Sequence, residues 1–356
     1  MSNWHELKDN PRLKKIFEQR IEIIRLIREF FWAQGFVETE TPIAVKTPSQ
    51  EPYLNFVPVN LHGPRGDEHK FYLHTSPEFG MKKLLAAGWS KIFQICKCFR
   101  DNEEFGGRHN TEFTMIEWYR APGALADIMD DTENLFRFVC EKLGMDFIDY
   151  QNYKIKIAGA WDRMTMREVW QKFVGVNLDE YLLTEKLAEL VKERGYNVEK
   201  DEPYEDLFFK IFLNEIEPKL GIERPIFVYD YPAQMSSLSR LCEDNRYAER
   251  FELYIGGLEM ANAFGELTDA VDQKNRLEAD RMHRQHLGKE TWPVDAEFIS
   301  ALESGIPNSE VLAALPAEAR RAEVGGIALG VDRMVLLFTG ARDLNEVIFE
   351  SIKDQI

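Results

Sequence analysis

The sequence predicts an α+β fold, an antiparallel sheet flanked by helices, on three observations. Two hairpin signals, KIFQICKCFR to EFTMIEWY (91–119) and RFELYIGGLEMANAFGEL (250–267), each join neighbouring strands through a short polar or glycine loop. Helical patterns stand apart from these strands instead of alternating with them, which argues against a parallel α/β sheet. A hydrophobic content of 44% over 356 residues is enough for a large core.

Taken in order, residues 11–34 carry Leu13, Ile16, Phe17, Ile23, Ile24, Ile27, Phe30 and Phe31 at helical spacing, with Gly35 as the stop. FVETETPIAV then reads as extended. Pro42 within it cannot donate to a ladder and predicts a sheet edge or a subunit contact. After a connector from 66, FYLHT (71–75) is a strand, and Ser76-Pro77-Glu78 opens a helix that stops at Gly88. The stretch 124–224 is mostly helical in pattern, including Leu182–Arg194 and Glu205–Glu217, and predicts a helical insertion at about 160–224. IFVYDYP (226–232) is strand-like, Gly256-Gly257 turns the second hairpin, and Glu278–Leu287 suits a helix. EVLAALPAEARRAE (310–323) reads as a surface helix pair broken at Pro316, within a short insertion at about 308–324. GIALGVDRMVLLFTG (326–340) is a strand running into a helix that ends at Gly340. There are no repeats, and the whole of 1–356 is predicted to be one domain.

Lys and Arg number 44 against 61 Asp and Glu, so 44 − 61 = −17. This excess argues against extensive contact with a phosphate backbone and suits a basic protein partner better. No apolar run approaches the roughly 18 residues of a membrane span, and MSNWHELKDNPRLKK lacks the apolar core of a secretory signal. Four cysteines in a chain of this length are not a disulfide framework, so a cytoplasmic location is expected. Cys96 and Cys98 form a C-x-C that reads as buried free thiols, since a metal site would need further ligands.

Strand alternation places Phe113, Met115, Glu117 and Tyr119 on one face of the first hairpin, with Arg100 ending the strand before it. A carboxylate among apolar neighbours needs a cation or a hydrogen-bond donor, and Arg100 is the expected partner in a structural ion pair. In the second hairpin a two-residue turn pairs Ile255 with Leu258, Tyr254 with Glu259 and Leu253 with Met260. Glu252 is then diagonal to Glu259 at roughly 7–8 Å. Two converging carboxylates suit Mg²⁺ and substrate phosphates; the plainer alternative is a solvated polar face. Asn262, Phe264 and Glu266 have the opposite parity to Glu259, so a bulge is needed to bring all of them to one pocket. In GGIALGVDR (325–333) glycines along a strand admit a ligand close to the backbone, and Arg333 stands in a first helical turn where a phosphate is welcome. Neither a P-loop nor a G-x-G-x-x-G is present.

The order FRDNE, RHNTEFTMIEWY, FELYIGGLEMANAFGEL, GIALGVDRMVLLF resembles motifs 2 and 3 of the class II aminoacyl-tRNA synthetase catalytic core, and Pro42 in ETETP looks like the motif 1 proline of its dimer interface. Within that class the chain is similar to lysyl-tRNA synthetases, and closer still to their short relatives, the elongation factor P (R)-β-lysine ligase family. The resemblance spans nearly the whole chain. It implies that Arg100 holds the ATP α-phosphate, that Glu103, His109 and Asn110 line the nucleotide, and that Phe113 stacks on adenine. Met260 and Gly330 would border ATP, Arg333 would grip the γ-phosphate, and Glu252 and Glu259 would hold Mg²⁺. Ser76 and Glu78 would receive the amino end of the amino acid. Tyr119 and Glu266 would take its side-chain ammonium, with Asn262 nearby.

The chain opens at the matched core, so the resemblance implies no N-terminal anticodon-reading domain and no tRNA substrate. Ala328 stands where lysyl-tRNA synthetases carry glycine, an alanine associated in the ligase family with (R)-β-lysine; one methyl biases selection by about 1–3 kcal/mol. Two departures accompany this. The loop Asp101–Arg108 is one residue longer than the family pattern, leaving Glu103 and Glu104 interchangeable, and Ala263 and Gly265 replace the usual residues of the run around Asn262. The implied activity is ATP-dependent activation of lysine and its transfer to a lysine of elongation factor P by a homodimer. The alternatives are a truncated synthetase acting on tRNA or another amine, and a non-catalytic lysine or nucleotide sensor.

Overall fold

The computed structural model describes residues 3–105, 107–307, 309–314 and 323–356; most of the expected insertion at 308–324 lies outside the described residues. A short helix α1 (Asn3–Asp9) precedes α2 (Pro11–Ala33), whose Asn10 cap accepts from the Leu13 amide while Pro11 fixes the first turn. The extended stretch resolves into two-residue strands β1 (Val37–Glu38) and β2 (Ala44–Val45), with Pro42 exposed between them. Strands β3 (Pro58–His62) and β4 (Glu68–Leu73) lead to α3 (Glu78–Ala86), then to β5 (Lys91–Phe99), β6 (Glu112–Arg120) and α4 (Leu125–Leu143).

Three short strands, β7 (Phe147–Tyr150), β8 (Tyr153–Lys156) and β9 (Asp162–Thr165), follow α4 and interrupt the stretch read as helical. Helices α5 (Met166–Phe173), α6 (Thr184–Glu193) and α7 (Tyr204–Ile211) follow. Then come β10 (Ile226–Pro232), β11 (Tyr247–Ile255), β12 (Leu258–Gly265), α8 (Ala270–His286), α9 (Ala296–Glu303), α10 (Ser309–Ala314), β13 (Gly325–Gly330), α11 (Val331–Thr339) and α12 (Ile352–Gln355). Gly340 caps α11 in the left-handed region, as its position predicted.

The chain forms two compact units, 1–128 with 267–356, and 129–266. In the first, the strand order is β1-β5-β6-β13; β5, β6 and β13 are antiparallel neighbours and β1 joins β5 in parallel. Helix α2 covers one face of this sheet, with Phe31 stacked on Phe93 and packed on Trp118, each at 5.0 Å between ring centroids. Alternation therefore sends Gln94, Cys96, Cys98, Phe113, Met115, Glu117 and Tyr119 to the other face.

In the second unit the order is β12-β11-β10-β9, antiparallel except for the β10–β9 pair. Its core joins Trp170 of α5, Phe208 of α7 and Phe212 to Tyr231, Tyr247 and Tyr254 of the sheet. Deleting a buried aromatic of this kind costs about 3–5 kcal/mol, which makes the helical segment a fixed part of its unit.

Candidate active site

In the first unit, three strands align a row of chemistry-bearing residues with a row of small ones. Glu117 stands between Gln94 and Ala328, Met115 between Cys96 and Gly330, and Tyr119 opposite Gly326. Directly opposed residues share a face, so Gly326, Ala328 and Gly330 leave β13 bare beside Glu117 and Met115. That is the close approach to backbone expected of a glycine-lined strand.

Glu117 is the unexpected member of this face. It is buried, and its carboxylate accepts from Ser76 Oγ at 2.6 Å and from the Tyr119 hydroxyl at 2.8 Å. Both donors are neutral, and no cation among the described residues pairs with it. Burial first, and the nearby Glu78 second, push its carboxyl well above the ordinary range, against the pull of the two hydroxyls. The expected Glu117–Arg100 ion pair does not form. Arg100 instead lies over the Phe113 ring, 5.2 Å from its centroid, with its Nε buried and without a hydrogen-bond partner among the described residues.

Ser76 also caps the start of α3, accepting from the Glu78 amide at 3.0 Å. Glu78 is itself paired with the buried Lys82 one turn later, at 2.5 Å. Ser76 thus joins the start of α3 to Glu117, the carboxylate that sequence alternation found and assigned to a different partner.

Further along the same unit, Glu103 is half-buried and Glu104 exposed, which separates the two candidates of the long loop. His109 Nδ1 lies 3.2 Å from Glu103. That hydrogen bond holds the Glu103 carboxyl below its usual range, with Arg100 and Arg333 adding to the effect. Asn110 is buried; its amide donates to the Glu112 carbonyl at 2.7 Å, while its Oδ1 has no partner among the described residues. Arg333 is carried by the first turn of α11, whose Gly330 cap offers no side chain. The adjacent Asp332 anchors that turn: it accepts from Arg20 and from the Thr114 amide, both at 2.6 Å. No local pattern marks this anchor, because Arg20 is more than 300 residues away.

In the second unit, Tyr254 pairs with Glu259 and Ile255 with Leu258, as the two-residue turn requires. The next pair is Leu253 with Ala261, so the expected Leu253–Met260 pairing is wrong: Met260 is the extra residue of a bulge. The bulge resets parity. Glu259 now shares a face with Asn262 and Phe264, and Glu252, still diagonal to Glu259, lies directly opposite Asn262. Glu252 is buried and well supplied with donors. Arg250 donates to its Oε1 at 2.6 Å, Tyr231 donates to its Oε2 at 2.6 Å, and Tyr254 donates to Oε2 as well. Arg250 also reaches Asn262 Oδ1 at 3.1 Å. Among the described residues Oε1 of Glu252 accepts one bond, and this oxygen and the diagonal Glu259 carboxylate are hard donors of the kind Mg²⁺ takes. Glu266 is buried just past β12, bridged to Ser239.

Comparison with known proteins agrees with these motifs. The family model for class II tRNA synthetases (D, K and N) matches residues 2–350. An elongation factor P–(R)-β-lysine ligase of Haemophilus influenzae strain PittGG is 35% identical over 350 residues, 98% of this chain and 97% of the relative. The same-named proteins of Avibacterium paragallinarum and Pseudoalteromonas translucida are 34% and 36% identical, covering 98% and 93% of this chain and 99% and 93% of their own lengths. The chain belongs to the class II tRNA synthetase family of the D, K and N type.

Proposed function

We propose that this chain activates lysine, with (R)-β-lysine preferred, as its adenylate at the expense of ATP and transfers it to the ε-amino group of a lysine on elongation factor P. The observation that carries this reading is Glu117, a buried carboxylate supplied with hydroxyl donors and lacking a cation, on one sheet face with Arg100. An ammonium group completes such a site, and an unpaired buried charge is what selects for one.

Glu117, Ser76 and Glu78 receive the amino end of the amino acid, and Tyr119, Asn262 and Glu266 its side-chain ammonium. Arg100 holds the α-phosphate and Arg333 the γ-phosphate, while Phe113, Glu103, His109, Asn110, Met260 and Gly330 surround the nucleotide. Glu259 and Oε1 of Glu252 would hold Mg²⁺, which supplies charge neutralisation on the phosphates when bound. A carboxylate oxygen of the amino acid attacks the α-phosphorus in line, the bond to the bridging oxygen breaks, and pyrophosphate leaves. The acceptor amine then attacks the acyl carbon, loses a proton, and AMP leaves with the bonding pair. Neither step requires a nucleophilic side chain; positioning and charge stabilisation suffice.

The reading places the protein in the cytoplasm as a homodimer without a tRNA substrate. Exposed Val37 and Ile43, in the same extended stretch as Pro42, support a subunit contact there, and among the described residues no helix is long and apolar enough to cross a membrane. The test is amino-acid-dependent ATP–pyrophosphate exchange with (R)-β-lysine, α-lysine and aspartate in parallel, followed by mass analysis of elongation factor P. Strongest exchange with (R)-β-lysine and an added β-lysyl mass are expected. Preference for α-lysine without transfer favours the synthetase-like alternative, and no exchange with any of the three favours a sensor.

A further inference from the structure

The C-x-C of β5 acquires a third member in the fold. Cys96 and Cys98 point to the same face, with their sulfurs 3.8 Å apart, and His74 at the end of β4 brings its Nε2 to 4.0 Å from Cys98 Sγ. One ligand atom from each of the three lies within 4.8 Å of the others. Two thiolates bound tetrahedrally to Zn²⁺ at about 2.3 Å are separated by about 3.8 Å, and a thiolate and an imidazole nitrogen by about 3.6 Å. Two of the metal-free spacings, Cys96–Cys98 and Cys98–His74, are therefore already those of a tetrahedral site to within a few tenths of an ångström, and the third pair lies within 4.8 Å.

We propose that His74, Cys96 and Cys98 form a Zn²⁺-binding site with an open fourth position. Cys98 and His74 are buried and Cys96 is partly exposed, so the ion enters, and the fourth position faces solvent, on the Cys96 side. The ligand set is soft and compact, unlike the carboxylate oxygens of the second unit, and favours Zn²⁺ over Mg²⁺. Without metal, Cys96 and Cys98 share one S–H···S hydrogen bond. This shared hydrogen bond holds Cys96 below the ordinary thiol range, with His74 also contributing, and raises Cys98 above it. His74 Nε2 meanwhile donates to the Lys97 carbonyl at 2.8 Å. On binding, Zn²⁺ takes the place of the thiol protons of Cys96 and Cys98, which are released. The imidazole exchanges its Nε2–H for the Nδ1–H tautomer, so occupancy rises with pH.

The site occupies the Cys96–Met115–Gly330 row, beside the Gln94–Glu117–Ala328 row. A cation here stands on the face assigned above to the substrates, and it is expected to slow adenylate formation; this consequence alone rests on the proposed function.

The experiment is Co²⁺ titration of the reduced, tag-free chain, read by thiolate charge-transfer and d–d absorption, with Zn²⁺ displacing Co²⁺. One tetrahedral Co²⁺ per chain is expected. Affinity should fall at least tenfold in Cys96→Ser, Cys98→Ser and His74→Gln and stay unchanged in Cys242→Ser. Should the variants fail to fold, Zn²⁺ on the wild-type chain must protect Cys96 and Cys98 from alkylation, mapped by mass spectrometry. Absorption that survives both serine variants, or alkylation indifferent to Zn²⁺, overturns the site. Binding as expected without any inhibition of pyrophosphate exchange keeps the site and overturns its placement among the substrates.

Discussion

Two buried carboxylates, one in each unit, show how the same group serves two ends. Glu252 accepts from two tyrosine hydroxyls and also has a full guanidinium partner in Arg250, whose side chain is 12% exposed. Glu117 accepts from one serine and one tyrosine hydroxyl, with no cation among the described residues. The first has its charge met within its own unit, whatever Oε1 goes on to bind. The second carries a desolvation penalty that only an arriving positive charge relieves, and such sites are where binding is concentrated.

The largest effect that would break this contrast is at Arg250. Arg250→Ala leaves Glu252 with hydroxyl donors alone, as at Glu117. Removing one partner of a buried pair costs about 3–5 kcal/mol, so the urea midpoint should drop sharply. A loss below about 1 kcal/mol would mean that the two tyrosines alone satisfy Glu252, and the contrast would fail.

Arg100→Ala probes the other side. Arg100 Nε has no internal hydrogen bond to lose, so stability should change little, whereas pyrophosphate exchange should fall by about 10²–10³, as for one lost transition-state donor. A comparable loss of stability would instead make Arg100 a structural residue.

Glu117→Gln sharpens the comparison through pH. The folded carboxyl is raised above its unfolded value of 4.5, so the folded state binds more protons between the two values, and stability declines as pH rises through that window. Glutamine removes the decline. The difference in melting temperature between variant and wild type should therefore grow with pH, then level off above the folded value. Lysine affinity in the wild type should move the opposite way, strengthening with pH as the carboxylate becomes available, and should weaken by about 2–5 kcal/mol in the variant. A pH-independent difference would show that Glu117 is ionised without a ligand.

Much of this was legible in the residues themselves. Alternation along EFTMIEWY put Glu117 and Tyr119 on one face, and Gly256-Gly257 set the turn of the second hairpin. The bulge at Met260 was not legible as a position, because alternation shows only that parity must change between Glu259 and Asn262. The partner of Glu117 was hidden for another reason: Ser76 is 41 residues away and arrives through the β4–α3 junction, whereas Arg100 ends the adjoining strand. Strands β7, β8 and β9 were lost because four residues are too few to display a period against a helical background. Likewise, C-x-C announces two ligands, and His74 is brought in only by the fold.

The smallest effect concerns the methyl group beside Glu117. Ala328 is the direct cross-strand neighbour of Glu117, flanked by Gly326 and Gly330, so its Cβ is the one side-chain atom that β13 places on this face. (R)-β-Lysine carries its amino group one carbon farther from the carboxylate than α-lysine does, and a methyl at this point shifts where an ammonium can sit against Glu117. Ala328→Gly should therefore move selectivity towards α-lysine by about 1–3 kcal/mol, the range a single methylene-sized change can supply. The readout is the ratio of kcat/KM for the two amino acids in pyrophosphate exchange. Stability should fall only slightly, by about 0.5–1 kcal/mol for the added backbone freedom. An unchanged ratio would place discrimination at Glu78 and Ser76 instead, making the contact between Ala328 and Glu117 a matter of packing alone.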